Sequence, residues 1–125
     1  QESGGLGDVY KRQALVSPEP IGFLGGIDPE TGVVVERGHA LEGQCVAGRV
    51  LVFPTGKGST VGSYTLYWMA RVGTAPAAIV NARSEAIIAV GAIMAGIPMV
   101  DEIDIGLLQT GDRVRVDGER LVLNW

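Results

Sequence analysis

The stretch from Leu51 to Tyr64 holds the residues of this chain best suited to chemistry. Apolar Leu51, Val52 and Phe53 lead into Pro54, Thr55, Gly56, Lys57 and Gly58, and Ser59 stands where a helix would open. The first N–H groups of a helix have no partner inside it, and the helix dipole adds partial positive charge there. Such a turn is a ready anion site. The Ser59 hydroxyl and the Lys57 ammonium lie beside it, and Ser63 and Tyr64 fall one turn further on, close enough to line it.

Other chemistries fit less well. The order Gly56, Lys57, Gly58, Ser59 differs from a nucleotide phosphate loop, in which Lys follows the second glycine. Val61 stands where a nucleophile elbow needs glycine. A serine nucleophile or base needs an activating partner. The single histidine, His39, lies in another, polar loop, where a solvated side chain is expected rather than a triad member. Cys45 is the one cysteine; it reads as a small buried residue opening a strand, and alone it can form no intrachain disulfide or metal site. Asp101, Glu102 and Asp104 read as a solvated acidic loop, and Asp28 as a turn residue. The residues alone leave two readings of Ser59 open: a plain helix cap, or a residue of an anion site.

The elements that would position the turn follow from periodicity. Ala14–Val16 reads as a strand, Val33–Val35 as a short one, and Val46–Phe53 as a strand whose apolar run is covered on both faces. A helix is predicted over Ser59–Val72, capped by Ser59 and closed by Gly73, with Tyr64, Tyr67, Trp68 and Val72 on its apolar side and Leu66, Met69 and Ala70 widening that side. Ala77–Val80 is a second buried strand. A second helix runs from a Ser84 cap to Ala95; being apolar nearly all round, it is expected to be sandwiched. Pro98–Val100 is extended, and Arg113–Asp117 with Leu121–Asn124 forms a hairpin about Asp117 and Gly118. The two strand–helix–strand crossovers predict parallel pairing. The pattern predicts one compact α/β domain of β/β/α type, barrel-like or three-layered.

Bulk properties bound the function. The 125 residues suffice for one core, and 46% are hydrophobic. A net charge of -4 argues against nucleic acid as a partner. The longest apolar run, Ala86–Val100, spans 15 residues and is too short for a bilayer. With no secretory signal visible, a cytoplasmic protein is expected. Residues Asp8–Gln13 read as a translated transposon adapter, so residues 1–13 are set aside as non-native and residues 14–125 are taken as the domain. On that reading a native first strand is missing and its neighbour has an open edge.

Four segments in order carry a resemblance: Ser17–Gly32, Val52–Tyr64, Thr74–Ile79 and Gly91–Pro98. Together they resemble the swivel domain of the aconitase X family, from Ala14 to about Asp117. The resemblance implies a swivelling β/β/α fold and a hydro-lyase that works with a large catalytic subunit as a heterodimer. It implies an iron–sulfur cluster on that large subunit, none on this chain, and Ser59 as the proton acceptor. Gly56, Lys57, Gly58, Thr60 and Ser63 are the expected substrate-binding residues around Ser59. Aconitase proper follows its serine pair with an arginine; Thr60 and Val61 stand there instead, which leaves the anion-binding cation open. Within the family, the stretches Gly58–Tyr64 and Gly96–Val100 look closer to the branch that dehydrates (R)-mevalonate 5-phosphate to trans-anhydromevalonate 5-phosphate, a step of isoprenoid synthesis. The alternatives are a cis-3-hydroxyproline dehydratase subunit and a non-catalytic module that binds a small anion.

Overall fold

The computed structural model describes residues 12–118 and 120–123. A six-stranded mixed sheet runs in the order β4-β3-β2-β1-β5-β6. Its strands are β1 (Arg12–Val16), β2 (Val50–Phe53), β3 (Ala78–Asn81), β4 (Met99–Val100), β5 (Arg113–Asp117) and β6 (Arg120–Leu123). β1 to β4 are mutually parallel, and β5 and β6 are antiparallel. Helix α1 (Gly62–Val72) links β2 to β3, and helix α2 (Ala86–Ala95) links β3 to β4. These are the two predicted parallel crossovers.

β2 and β3 are buried at every position, as their unbroken apolar runs require. Alternate side chains serve different cores. Leu51, Phe53 and Ile79 pack with Leu66, Met69, Ile88 and Ala92 of the helices. Val50, Val52, Ala78 and Val80 pack with Val100, Val114 and Val116 on the opposite face. The second set joins residues from both ends of the strand order, so the sheet curls toward a barrel. The result is the barrel-like α/β fold expected, with the helices outside.

Several local expectations change. β1 opens at Arg12 rather than Ala14; Arg12 and Gln13 pair with Val114 and Arg113, while Ala14–Val16 pair with β2. β1 is therefore partnered on both flanks, and the sheet's edges are β4 and β6. Residues 1–11, and with them most of the adapter reading and the missing strand, lie outside the described residues. Val46–Phe53 is a strand only from Val50, because the chain turns at Gly48 (φ 69°), whose N–H bonds to the Ala75 carbonyl. Val33 and Val34 make isolated bridges, to Cys45 and Ile27, instead of a strand. The helices also expose more apolar surface than predicted. Tyr64 is 64% and Trp68 50% exposed on α1, and Ile93 is 81% exposed on α2. The buried side of α1 is Gly62, Ser63, Leu66 and Met69, so of the expected apolar residues Leu66 and Met69 are the ones fully buried. α2 is thus covered on one side by α1 and the sheet and open on the other, not sandwiched. Gly73 and Gly96 end the two helices in the left-handed conformation, as expected of glycine.

Candidate anion site at the Ser59 turn

The turn from Pro54 to Val61 leaves the carboxyl end of β2 and enters α1. Its backbone is gripped from two sides. On one, Ile21 N–H donates to the Thr55 carbonyl (3.2 Å) and Lys57 N–H donates to the Ile21 carbonyl (3.0 Å). The chains run so close here that a Cβ on Gly22 would stand 2.9 Å from the Lys57 carbonyl oxygen. On the other, the Pro54 carbonyl accepts from Ala82 N–H (3.1 Å) and Arg83 N–H (3.0 Å), and Asn81 Nδ2 donates to the Phe53 carbonyl (3.0 Å). The turn sits where β1, β2 and β3 all end.

Ser59 is exposed, and it is not the N-cap of α1. Its Oγ accepts a hydrogen bond from Val61 N–H at 3.1 Å, closing a serine turn one step before the helix, and Val61 takes the cap position with no side-chain cap. The helix itself begins only at Gly62, so this serine turn lies before its first turn and not within it. The hydroxyl oxygen therefore already receives one backbone donor. The N–H groups of Gly56, Gly58, Ser59 and Thr60 find no acceptor among the described residues. Gly58 has φ 94°, a conformation that glycine alone adopts freely. N–H groups left free in a glycine-rich turn before a helix are donors of the kind that binds anions.

The remaining expected site residues are placed differently. Lys57 Nζ is 2.8 Å from Glu36 Oε2, in a half-exposed ion pair. Ser63 is 7% exposed, and its hydroxyl donates to the Thr60 carbonyl at 3.0 Å, bracing the turn from behind. Thr60 is exposed beside Ser59. His39 is buried (6% exposed), not solvated: Leu41 N–H donates to Nδ1 and Nε2 donates to the Pro20 carbonyl, both at 3.0 Å. A carbonyl needs a donor, so Nε2 carries the proton. Both ring nitrogens are committed, and His39 does not serve Ser59. Cys45 is exposed rather than buried, its Sγ 3.5 Å from the Thr31 carbonyl. Asp104 accepts from Gly106 N–H and caps a short 3-10 helix over Ile105–Leu107.

Two residues that sequence reasoning passed over stand beside the turn. The N-cap of α2 is Glu85, not Ser84: Glu85 Oε2 accepts from Ile87 N–H at 3.1 Å. Glu85 Oε1 is buried without a hydrogen-bond partner, as is Asn81 Oδ1. Asn81 is the one polar residue of β3, and Glu85 the one acid before an apolar helix. Those oddities of type were the only signals available.

Among the described residues, no group of three His, Cys, Asp or Glu gathers as a metal ligand set. No described helix is long and apolar enough to cross a membrane. The chain is 57% identical over 84% of its length to the phosphomevalonate dehydratase small subunit of Methanocella arvoryzae, covering 82% of that protein. It is 52% identical to the protein of the same name from Pyrococcus furiosus, over 90% of this chain and 84% of that one. Among solved structures it is similar to the holo-form crystal structure of Thermococcus kodakaraensis aconitase X, with TM-score 0.88 and 45% identity over 92% of both chains. It is also similar to the solution structure of a UPF0107 protein, with TM-score 0.80 and 49% identity over 92% of this chain and 93% of the other. The aconitase X swivel domain model matches residues 5–124. With the curled mixed sheet, its two outer helices and the serine turn at the strand ends, this match shows that the chain belongs to the aconitase X swivel domain family.

Proposed function

We propose that this chain is the small subunit of a heteromeric hydro-lyase that dehydrates (R)-mevalonate 5-phosphate to trans-anhydromevalonate 5-phosphate, with Ser59 as proton acceptor. The observation that carries the role of Ser59 is the hydrogen bond from Val61 N–H to its Oγ, in a turn where the N–H groups of Gly56, Gly58, Ser59 and Thr60 have no acceptor among the described residues. Donors aimed at an oxygen favour its anionic form. In the dehydration the Ser59 alkoxide takes a proton from carbon, the electron pair forms the double bond, and the neighbouring C–O bond breaks. The departing hydroxide takes up a solvent proton, matching the one Ser59 released on becoming the alkoxide, to leave as water. Preorganised backbone donors then stabilise charge without reorganising.

Gly56, Gly58 and Thr60 supply N–H groups to the substrate's anionic end. Lys57 adds charge when it turns from Glu36, and Ser63 holds Thr60 in place. An iron–sulfur cluster on the large aconitase X subunit would supply Lewis-acid assistance to the departing hydroxyl, in keeping with the single cysteine of this chain. The complex works in the cytoplasm, without nucleic acid or membrane. As part of this reading, residues 1–13 are adapter-derived and residues 14–125 are the domain proper; strand pairing through Arg12 and Gln13 is a backbone matter and asks for no particular side chain.

The test is anaerobic co-expression with the large subunit, followed by assay on mevalonate 5-phosphate and on cis-3-hydroxyproline. Turnover of the phosphate is expected, with Ser59→Ala abolishing it while the subunits still associate. Turnover of the hydroxyproline alone would move the protein to the sister reaction. Near-normal turnover by the Ser59→Ala complex would remove Ser59 from the mechanism. Anion binding without turnover by a cluster-loaded complex would leave only a binding module.

A further inference from the structure

Segment 81–85 runs alongside the Ser59 turn in step with it. Asn81 bonds to Phe53, and Ala82 and Arg83 both bond to Pro54. Glu85 then arrives at Gly56: its Oε1 lies 3.1 Å from where a Gly56 Cβ would be. This oxygen is buried and has no donor, although its twin, Oε2, holds the start of α2. A buried carboxylate oxygen without a donor is unfavourable, and native structures rarely keep one without cause. Against it stands Gly56, whose N–H has no acceptor among the described residues. A carboxylate oxygen lacking a donor and a residue whose N–H lacks an acceptor among the described residues thus stand side by side at the base of the turn.

We propose that Glu85 is a positioning residue for the Ser59 turn, its Oε1 accepting the Gly56 N–H as the turn tightens in the working complex while its Oε2 keeps α2 in place. Hydrogen bonds at reacting sites commonly tighten only in the Michaelis complex. One carboxylate then ties the start of α2 to the turn that carries Ser59. That bond revises one role given above: in the tightened turn Gly56 gives its N–H to Glu85 and not to the substrate, and the N–H groups of Gly58, Ser59 and Thr60 hold the anion. The inference rests on the reading of the turn as the reacting site.

The requirement for two acceptor oxygens, at a set reach, makes the idea testable. Aspartate is a favoured N-cap but one methylene shorter, so Glu85→Asp keeps the cap and loses the turn. In the reconstituted two-subunit enzyme, Glu85→Asp is expected to leave the melting temperature and KM near their starting values and to lower kcat at least tenfold. Hydrogen exchange of the peptide spanning residues 54–60, followed by mass spectrometry in the presence of mevalonate 5-phosphate, is expected to quicken at least tenfold. Unchanged kcat and unchanged exchange would overturn the proposal and leave Glu85 a helix cap only. Should the Asp variant fail to fold, Glu85→Gln serves: its single carbonyl oxygen can hold the helix or the turn but not both. Full protection of residues 54–60 and of the first turn of α2 in that variant would equally overturn it. Failure of the Ser59 reading is seen separately, as turnover surviving Ser59→Ala whatever Glu85 does.

Discussion

A methyl group on Gly56 would enter space that Ile88 already fills. The added Cβ would stand 2.3 Å from Ile88 Cγ1 and 3.0 Å from its Cδ1. Carbon atoms rest at about 3.5–4.0 Å, so more than an ångström must be found. Ile88 is 1% exposed and locked among the helix-side core residues, so it cannot swing aside. Either α2 or the turn must move. Overpacking of this kind costs about 1–3 kcal/mol; with about 2 kcal/mol for Gly56→Ala, the melting temperature falls by about 8 °C in a domain of this size. Ile88→Ala alone leaves a cavity and costs about 3 kcal/mol. Independent effects would sum to about 5 kcal/mol, but the two changes share one space. The double variant is therefore expected to cost about 3 kcal/mol, a coupling of about 2 kcal/mol. Thermal and urea unfolding of the four proteins measures it. Turnover follows the same logic: a displacement of about 1 Å at the turn lowers kcat by about a hundredfold, and the double variant regains part of it. Additivity of the two stability changes within about 0.5 kcal/mol would refute the argument, because the two side chains would then not compete for the same volume.

Two further expectations concern groups around the turn. Glu36→Gln releases Lys57 from its 2.8 Å partner; the half-exposed pair contributes at most about 1 kcal/mol, so stability barely changes. KM for an anionic substrate is expected to fall a few-fold, most clearly at low salt, and an unchanged or raised KM would show that Lys57 does not reach the anion. His39→Ala removes a buried ring bonded to Pro20 and Leu41. A loss of about 2–3 kcal/mol in urea unfolding is expected, with kcat intact below the melting transition; a collapse of kcat in the folded protein would return His39 to the chemistry.

What was legible beforehand follows a physical rule. The runs ending at Phe53 and Val80 are buried on both faces, so composition alone marks them as central strands. Gly73 and Gly96 end helices because the left-handed conformation there is theirs by lack of a Cβ. The Ser59 turn was visible because glycines, a strand and a helix meet in sequence. The misreadings depend on contacts far along the chain. Which part of α1's broad apolar side is buried is decided by α2 and the sheet, so Leu66 and Met69 turn inward as expected while Tyr64 and Trp68 are left outside. Glu85 replaces Ser84 as a cap because segment 81–85 is already pinned to Phe53 and Pro54, which sets where the helix begins. His39 is drawn inside by the Pro20 carbonyl, 19 residues earlier in the chain, a pairing that no local pattern records.

The alternation along β2 and β3 divides the molecule's labour. Leu51, Phe53 and Ile79 look toward the helices and the turn, while Val50, Val52, Ala78 and Val80 look into the curled sheet. The strands act as a shared wall between two rooms, and a substitution in one room reaches the other only by bending the wall. Lineages can therefore retune the helix layer, and with it the angle at which Ser59 is presented, while the barrel keeps its shape; equally, the barrel can be hardened against heat without altering what the turn holds.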